Sequence, residues 1–261
     1  MIDFHNHIIP NLDDGSKSID MSINMLKEAE SQGITDIINT VHYQHPKMEN
    51  KNTSYDFIIN EINKLQKIVN DHNINIKIHP ASEVFFKFNL TEILDNPITT
   101  FGNGKYMLIE FQRLSFPKGY EDEIFNLQLK GVTPIIAHPE RYRGIQKDIN
   151  LAKTWIERGY LIQIDCASII GRFGKETQIA AVKLLKNGLC HLIGSDAHND
   201  KNRNFFLKQA LLETKKIVGK DSTLLIKNNS KKIFKGEKAL SYSKQHQKTS
   251  LFTKFKSLFI K

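Results

Sequence analysis

The chain alternates short apolar runs, many of them β-branched, with amphipathic helical stretches. This order is typical of βα units that build a parallel sheet. The runs predicted as strands are 2–5, 36–40, 74–79, 106–111, 133–138, 160–165 and 190–195. A chain of 261 residues is long enough to close such units into one α/β barrel. The sequence therefore predicts a seven-stranded barrel.

The stretches between the predicted strands have apolar stripes at helical spacing, which indicate core-facing helix sides. The first helix is predicted to begin at Ser18 and to end at Gly33, because a glycine suits a left-handed C-terminal cap. The other predicted helices are 54–71, 121–130, 149–158, 174–187 and 205–217.

Nine residues of metal-binding types fall at or just after predicted strand ends, where the loops of a β/α barrel form a site. They are His5, His7, Asp14, His42, Glu83, Glu110, His138, Asp196 and His198. A closed structural zinc site uses four ligands, usually with cysteine, whereas a polynuclear hydrolytic centre combines bridging carboxylates with imidazoles. The chain is therefore interpreted as a metallohydrolase.

Local context separates these residues from their neighbours. Residues two apart in an extended segment point to the same side, so His5 and His7 can bind one ion together. Asp13 is assigned to an ordinary turn and Asp14 to a metal. His45, which precedes Pro46, is interpreted as a loop histidine with a lesser claim to touch substrate.

Glu83 and Glu110 are placed at the ends of strands three and four. A carboxylate buried there without a partner is costly, so a bound ion explains both; a surface salt bridge is the alternative. Arg141 and Arg203 are the predicted phosphate ligands, because guanidinium binds phosphate oxygens bidentately. Weaker candidates are Arg113, Arg143 and Arg172, and solvated arginine is the default for each.

Cys166 and Arg172 match the Cys-x5-Arg spacing of cysteine-dependent phosphatases. The intervening loop has one glycine and two isoleucines, and Asp165 beside the thiol would raise its pKa. The match is interpreted as chance. Cys166 and Cys190 both lie in apolar contexts, which favours a reducing cytosol over a disulfide framework.

The net charge of +9 is concentrated at the end of the chain. Residues 231–261 carry +8 and the preceding 230 residues about +1, so the barrel is not expected to bind nucleic acid. No signal peptide is expected, because its removal would take His5 and His7, and no apolar run reaches the roughly 18 residues that a membrane span needs.

Five segments together resemble a known family: 2–10 (IDFHNHIIP), 13–16 (DDGS), 40–43 (TVHY), 138–141 (HPER) and 195–198 (SDAH). Their combination is similar to the bacterial protein-tyrosine phosphatases of the PHP (polymerase and histidinol phosphatase) superfamily, which are typically encoded beside capsule or exopolysaccharide genes. The resemblance spans about residues 1–230, and Asn6 and Val41 are conservative departures inside the motifs.

The resemblance implies a distorted (β/α)7 barrel with three metal ions, commonly Mn²⁺, although iron or zinc also suits the ligand set. By position, the ligands would be His5, His7, Glu83 and Asp196 for the first ion, Glu83, Glu110 and His138 for the second, and Asp14, His42 and His198 for the third. Arg141 and Arg203 would bind the phosphate. The implied substrate is the phosphotyrosyl tail of a cognate tyrosine autokinase that regulates polysaccharide export.

The chemistry also follows from the residues. Two ions sharing Glu83 would lower the pKa of water for in-line attack on phosphorus, and phenolate, whose conjugate acid has a pKa near ~10, leaves without a dedicated general acid. The alternatives are a PHP-type small-molecule phosphatase such as histidinol phosphatase, a metal-dependent nuclease, and a regulator that binds the kinase or the membrane without turnover.

The predicted domains are a barrel over 1–230 and a basic tail over 231–261. Within the tail, apolar residues recur at helical spacing and are flanked by lysines; they are Leu251, Phe252, Phe255, Leu258 and Phe259. Such a helix can lie on an anionic membrane or pack on the barrel itself. The protein is expected in the cytoplasm, with the tail at the inner membrane face.

Overall fold

The computed structural model describes residues 1–48 and 53–241. Within these residues, seven parallel strands form one sheet in chain order: β1 (Ile2–Asp3), β2 (Asp36–Tyr43), β3 (Lys77–Phe85), β4 (Tyr106–Glu110), β5 (Thr133–Ile136), β6 (Leu161–Asp165) and β7 (Leu192–Gly194). The helices surround the sheet, and the predicted (β/α)7 barrel is confirmed.

The barrel closes between its first and last strands. Asn6 and Ala197 form a parallel bridge, and the His7 amide donates to the Ala197 carbonyl at 2.8 Å. The buried Asp3 carboxylate accepts bonds from the Ser195 amide at 3.0 Å and from its hydroxyl at 2.9 Å. The sheet therefore becomes a nearly closed barrel, and the chain segments after β1 and β7 meet at the carboxyl ends of the strands.

The structure describes nine helices, of which six match the predicted ones with small changes in bounds. The nine are α1 (Ile19–Ser31), α2 (Tyr55–Asp71), α3 (Tyr120–Leu129), α4 (Arg143–Lys147), α5 (Asn150–Glu157), α6 (Cys166–Ile169), α7 (Lys175–Lys186), α8 (Leu207–Val218) and α9 (Lys220–Phe234). Ser18 caps α1 by accepting from the Met21 amide, as its residue type predicts. None of the described helices is long and apolar enough to cross a membrane.

Two strands run further than predicted. The end predicted for β3, at residue 79, is wrong because the strand continues through Glu83 to Phe85. Pro80 and the polar residues after it interrupt the apolar pattern, yet backbone pairing with β2 continues along them. Strand β2 likewise extends to Tyr43, so His42 lies inside it and pairs with Glu83.

Helix α9, like the short helices α4 and α6, was not predicted from the sequence. Its buried side includes Thr223, Asn229 and Ser230 beside Ile226 and Ile233, so the apolar stripe is weak. The division of the chain at residue 230 stays a prediction, and α9 crosses that position. The predicted tail helix over 251–259 lies outside the described residues.

The chain after α9 crosses the face where the strands begin. The Tyr106 hydroxyl, at the start of β4, donates to the Glu237 carbonyl at 2.7 Å. His191, just before β7, lies 3.0 Å from the Ser241 hydroxyl. Because all strands are parallel, residue 241 lies at the amino ends of the strands, on the barrel face opposite their carboxyl ends.

Candidate metal centre

The nine predicted ligands converge at the carboxyl ends of the strands. Their donor atoms form four overlapping groups, each with all atoms within 4.8 Å of one another, and His5, His7, His42 and Glu83 each belong to two groups. A pocket of about 480 Å³ opens above them and is lined by seven of the nine, while His5 and His7 lie beneath it.

The first ligand set consists of two imidazoles from the first βα connection and two carboxylates. Nε2 of His5 lies 3.2 Å from Glu83 Oε2 and 3.5 Å from Asp196 Oδ1. Nε2 of His7 lies 3.5 Å and 3.4 Å from the same two oxygens. All four side chains are buried. Four donor atoms at such separations can surround one ion.

Glu83 connects this set to a second one. Its other oxygen, Oε1, lies 2.8 Å from Nε2 of His138, which is 3.8 Å from Oε1 of Glu110. Glu83 therefore presents one oxygen to each set, which is the arrangement that a bridging carboxylate requires.

The third set lies nearer the pocket mouth. Oδ1 of Asp14 lies 3.2 Å from Nε2 of His42 and 3.1 Å from Nε2 of His198. The Asp14 side chain is 48% exposed, so this set is open to solvent where the other two are enclosed.

The electrostatics of the centre favour bound cations. Burial disfavours a charged His5, but Glu83 and Asp196 raise its pKa to about 9. Burial and the neighbouring Glu83 raise the pKa of Glu110. Oε2 of Glu110 is buried and accepts no hydrogen bond from the described residues. A divalent ion would compensate these clustered carboxylates, so the donor set fits such ions.

Three further residues orient the ligands and were missed or misjudged in the sequence. Asp13, assigned to a turn, does accept from the Gly15 amide but also accepts from Nδ1 of His7 at 2.9 Å. Gln163 Oε1 lies 2.9 Å from Nδ1 of His5. Gln163 in turn donates to Asp165 at 3.0 Å. Acceptors at Nδ1 leave Nε2 of each histidine to face an ion.

Of these three residues, only Asp13 gave a sequence signal, because it adjoins the predicted ligand Asp14 and its carboxylate can accept a hydrogen bond from a histidine ligand. Gln163 and Asp165 lie in β6, a strand without a predicted ligand, so no local pattern marks them.

The two predicted phosphate arginines meet at one carboxylate. Nη1 of Arg141 donates to Asp196 Oδ2 at 2.6 Å and to Asp165 Oδ2 at 2.9 Å. Arg203 donates to the same oxygen of Asp196. Burial opposes the charge on Arg141, but Asp196 and Asp165 raise its pKa further. Both arginines line the pocket.

The weaker arginine candidates separate in the structure. Arg113 also lines the pocket, and no ion pair involves it among the described residues. Arg143 and Arg172 do not line it, and Arg172 instead stacks on Phe206. His45 lines the pocket as well, with its ring centroid 4.8 Å from that of His42.

Cys166 is fully buried at the start of α6 and does not line the pocket. Burial, with Asp3 and Asp165 nearby, raises the pKa of its thiol well above the ordinary value. A thiol of this kind is a poor nucleophile, which agrees with the interpretation of the Cys-x5-Arg match as chance.

Two of the ligands have strained backbones. His138 and Asp196 adopt φ angles of 32° and 48°, in the left-handed region that non-glycine residues rarely occupy. Such strain persists where surrounding structure enforces it and is frequent at functional sites. His138 follows β5 and Asp196 follows β7, each after one intervening residue, and the turn aims both side chains at the centre.

Known proteins resemble this chain over most of its length. The family model described as "Capsular polysaccharide synthesis, CpsB/CapC" matches residues 1–235. The putative tyrosine-protein phosphatase CapC of Staphylococcus aureus is 34% identical over 216 residues, which cover 82% of this chain and 84% of that protein. The tyrosine-protein phosphatase YwqE of Bacillus subtilis is 32% identical over 238 residues, with 91% and 92% covered.

Solved structures agree in fold. A chain from crystal structures of YwqE from Bacillus subtilis and CpsB from Streptococcus pneumoniae, described as metal-dependent tyrosine phosphatases, superposes with a TM-score of 0.87 at 32% identity and covers 93% of this chain and 97% of its own. A mutant organophosphorus hydrolase, at 12% identity and a TM-score of 0.56 with 89% and 92% covered, shares the fold alone.

Proposed function

This chain belongs to the CpsB/CapC family of capsular polysaccharide synthesis proteins, and we propose that it is a metal-dependent protein-tyrosine phosphatase. One observation carries the proposal: Glu83 joins two buried ligand sets directly beneath a pocket that two arginines line. A phosphate monoester fits such a pocket, because its oxygens can meet guanidinium groups while phosphorus faces the ligand sets.

We propose the three ligand sets as the sites of three ions, with Mn²⁺ as the resident metal. Imidazole and carboxylate ligands also suit iron and zinc. When bound, the ions would lower the pKa of water for attack on phosphorus and neutralise charge on the phosphoryl oxygens. Gln163 would keep His5 oriented through the Nδ1 atom of that histidine, and Asp13 would do the same for His7.

Arg141 and Arg203 would bind the phosphoryl oxygens. Oδ2 of Asp196 accepts hydrogen bonds from both guanidinium groups. An incoming phosphate would replace this oxygen as the acceptor of the two arginines. Arg141 keeps its bond to Asp165 in that exchange and stays in place. No described side chain is assigned as general acid, because phenolate is a sufficient leaving group.

The proposed substrate is a phosphotyrosyl segment of a cognate tyrosine autokinase that regulates capsular or exopolysaccharide synthesis. A mobile peptide can enter the open pocket mouth, beside the exposed Asp14 and the 73% exposed Leu114. We place the enzyme in the cytoplasm. Its basic tail would contact the anionic inner membrane face, and nucleic acid is not proposed as a ligand because the barrel is nearly neutral.

The test is turnover of a phosphotyrosyl peptide, histidinol phosphate and single-stranded DNA, each with and without Mn²⁺. We expect Mn²⁺-dependent release of phosphate from the peptide, with far slower turnover of the other two. Preference for histidinol phosphate would establish a small-molecule phosphatase instead. Binding of the kinase tail without hydrolysis in any metal would establish a non-catalytic regulator.

A further inference from the structure

The half-buried ring of Phe173 lies beside both phosphate arginines. The guanidinium carbon of Arg141 is 5.1 Å from the ring centroid, and that of Arg203 is 5.7 Å from it. Cations within about 6 Å of an aromatic centroid are attracted by its negative face. One ring therefore contacts the two cations that the proposed reaction uses.

The loop between α6 and α7 holds this ring in place. Gly171 and Gly174 flank the pair Arg172–Phe173 and have φ angles of 83° and 91°, which side chains rarely tolerate. A Cβ added at Gly171 would also lie 3.0 Å from the Gln178 side chain. Arg172 points the other way and stacks 4.1 Å from the Phe206 ring centroid. The loop is thus anchored directly before Phe173.

Contact with an aromatic ring differs from an ion pair because it leaves the N–H groups of an arginine available to phosphate oxygens. Asp196 binds the arginines through their N–H groups, which are the groups that phosphate oxygens need. Phe173 contacts both guanidinium groups through its ring and takes the place of no oxygen acceptor. The contact therefore persists when phosphate replaces Asp196 as the acceptor.

We propose that Phe173 is a positioning residue that holds Arg141 and Arg203 together in the geometry that grips a phosphoryl group. It acts through the arginines and supplies no metal ligand. This inference rests on the proposed phosphatase function, because it gives Phe173 a role in the same site.

The test compares Phe173→Leu and Phe173→Tyr with a matched control, Phe125→Leu, on the outer side of α3, where Phe125 is 58% exposed. Calorimetric titration of the metal-loaded protein with inorganic phosphate gives a Kd, and a phosphotyrosyl peptide gives KM and kcat. Loss of two weak cation contacts predicts an increase of about 5-fold in Kd and KM for Phe173→Leu. Metal content should be unchanged, and Phe173→Tyr and the control should match the wild type.

A double-mutant cycle separates positioning from general loop damage. Because one of the two contacts of Phe173 is with Arg203, Phe173→Leu should have a smaller effect in an Arg203→Ala background, where only the contact with Arg141 remains. An equal effect in both backgrounds, or an unchanged Kd in Phe173→Leu, overturns the inference. Should Phe173→Leu fail to fold, Phe173→Met, which keeps the length without a ring, is measured in the same way.

The two proposals fail in different ways. A wild type that binds phosphate but hydrolyses no phosphotyrosine overturns the proposed function, and Phe173 is then judged by phosphate Kd alone. If the wild type has normal turnover and the Phe173→Leu variant has the same Kd and KM as the wild type, only the positioning role is overturned. A wild type that neither binds phosphate nor hydrolyses the phosphotyrosyl peptide overturns both.

Discussion

Nδ1 of His5 lies 2.9 Å from Oε1 of Gln163, although the two residues are 158 positions apart. The contact continues through Asp165 to Arg141 and Asp196, and Asp196 returns to His5 at 3.5 Å. A closed chain of contacts therefore links a candidate metal ligand to a candidate phosphate ligand. Disturbing this chain should affect metal binding and phosphate binding together.

Gln163→Leu should weaken metal binding. The substitution removes the acceptor that fixes the His5 tautomer, and loss of such a partner typically costs about 10- to 100-fold in metal affinity or activity. Metal titration and peptide turnover measure both effects. Gln128→Leu is the control, because Gln128 donates to the Arg158 carbonyl away from the site. Unchanged metal affinity in Gln163→Leu would remove the orienting role.

Glu83→Gln should cost far more activity than Arg203→Ala. Glu83 faces two ligand sets with separate oxygens, so its loss should lower occupancy of both, whereas Arg203→Ala should act mainly on phosphate binding. Loss of one hydrogen bond between charged groups typically costs about 1.5–3 kcal/mol, so KM for Arg203→Ala should rise by roughly 10- to 100-fold. Elemental analysis of both purified variants, beside their kinetics, tests the difference. Normal occupancy and rate in Glu83→Gln contradict the bridging assignment.

Cys166→Ser should retain most turnover, because the thiol is buried and its pKa is raised. A hydroxyl in that apolar position should lower the free energy of unfolding by about 1–3 kcal/mol. Urea unfolding and peptide turnover separate stability from catalysis. Loss of turnover with metal content and folding intact would make the thiol part of the reaction.

Folding stability should fall in acid through His191. Burial lowers the pKa of its imidazole to about 4, and Nδ1 accepts from the Ile162 amide, so the folded state holds it neutral. Since the unfolded pKa is near ~6.5, the unfolded state binds more protons between these values, and stability is lost as pH falls from about 6.5 to about 4. The loss should be roughly 2–3 kcal/mol.

Urea unfolding of the wild type and His191→Gln at several pH values isolates this contribution, because other titrating groups are common to both proteins. The difference between their unfolding free energies should shrink as pH falls through that window. A difference that stays constant with pH contradicts a neutral buried His191.

Truncation at Lys244 should abolish binding to anionic vesicles without changing hydrolysis of a soluble peptide. Residue 241, three positions before the truncation point, lies at the face opposite the pocket, and the truncation removes none of the residues that line the pocket. Each lysine near an anionic leaflet contributes roughly 1 kcal/mol. Co-sedimentation with anionic and neutral liposomes measures the effect, and equal binding of both proteins excludes the tail as anchor.

The sequence determined the elements of the barrel and the identity of the candidate ligands. Alternation of apolar runs and helical stripes reports which faces are buried, and His5, His7, Asp196 and His198 stand at strand ends in spaced pairs that local chemistry makes conspicuous. Polar residues in a buried position weaken such signals. The extent of β3 past Pro80 and the whole of α9 were missed for that reason.

Only the tertiary structure decided how these residues combine. Closure of the barrel places Gln163 against His5 and one ring, Phe173, beside Arg141 and Arg203. These contacts join loops from different strands, and a one-dimensional pattern records nothing about partners more than a few residues away. A metal ligand can be predicted from its residue type and its position at a strand end, whereas the residue that orients it is identified only from the contacts between strands in the tertiary structure.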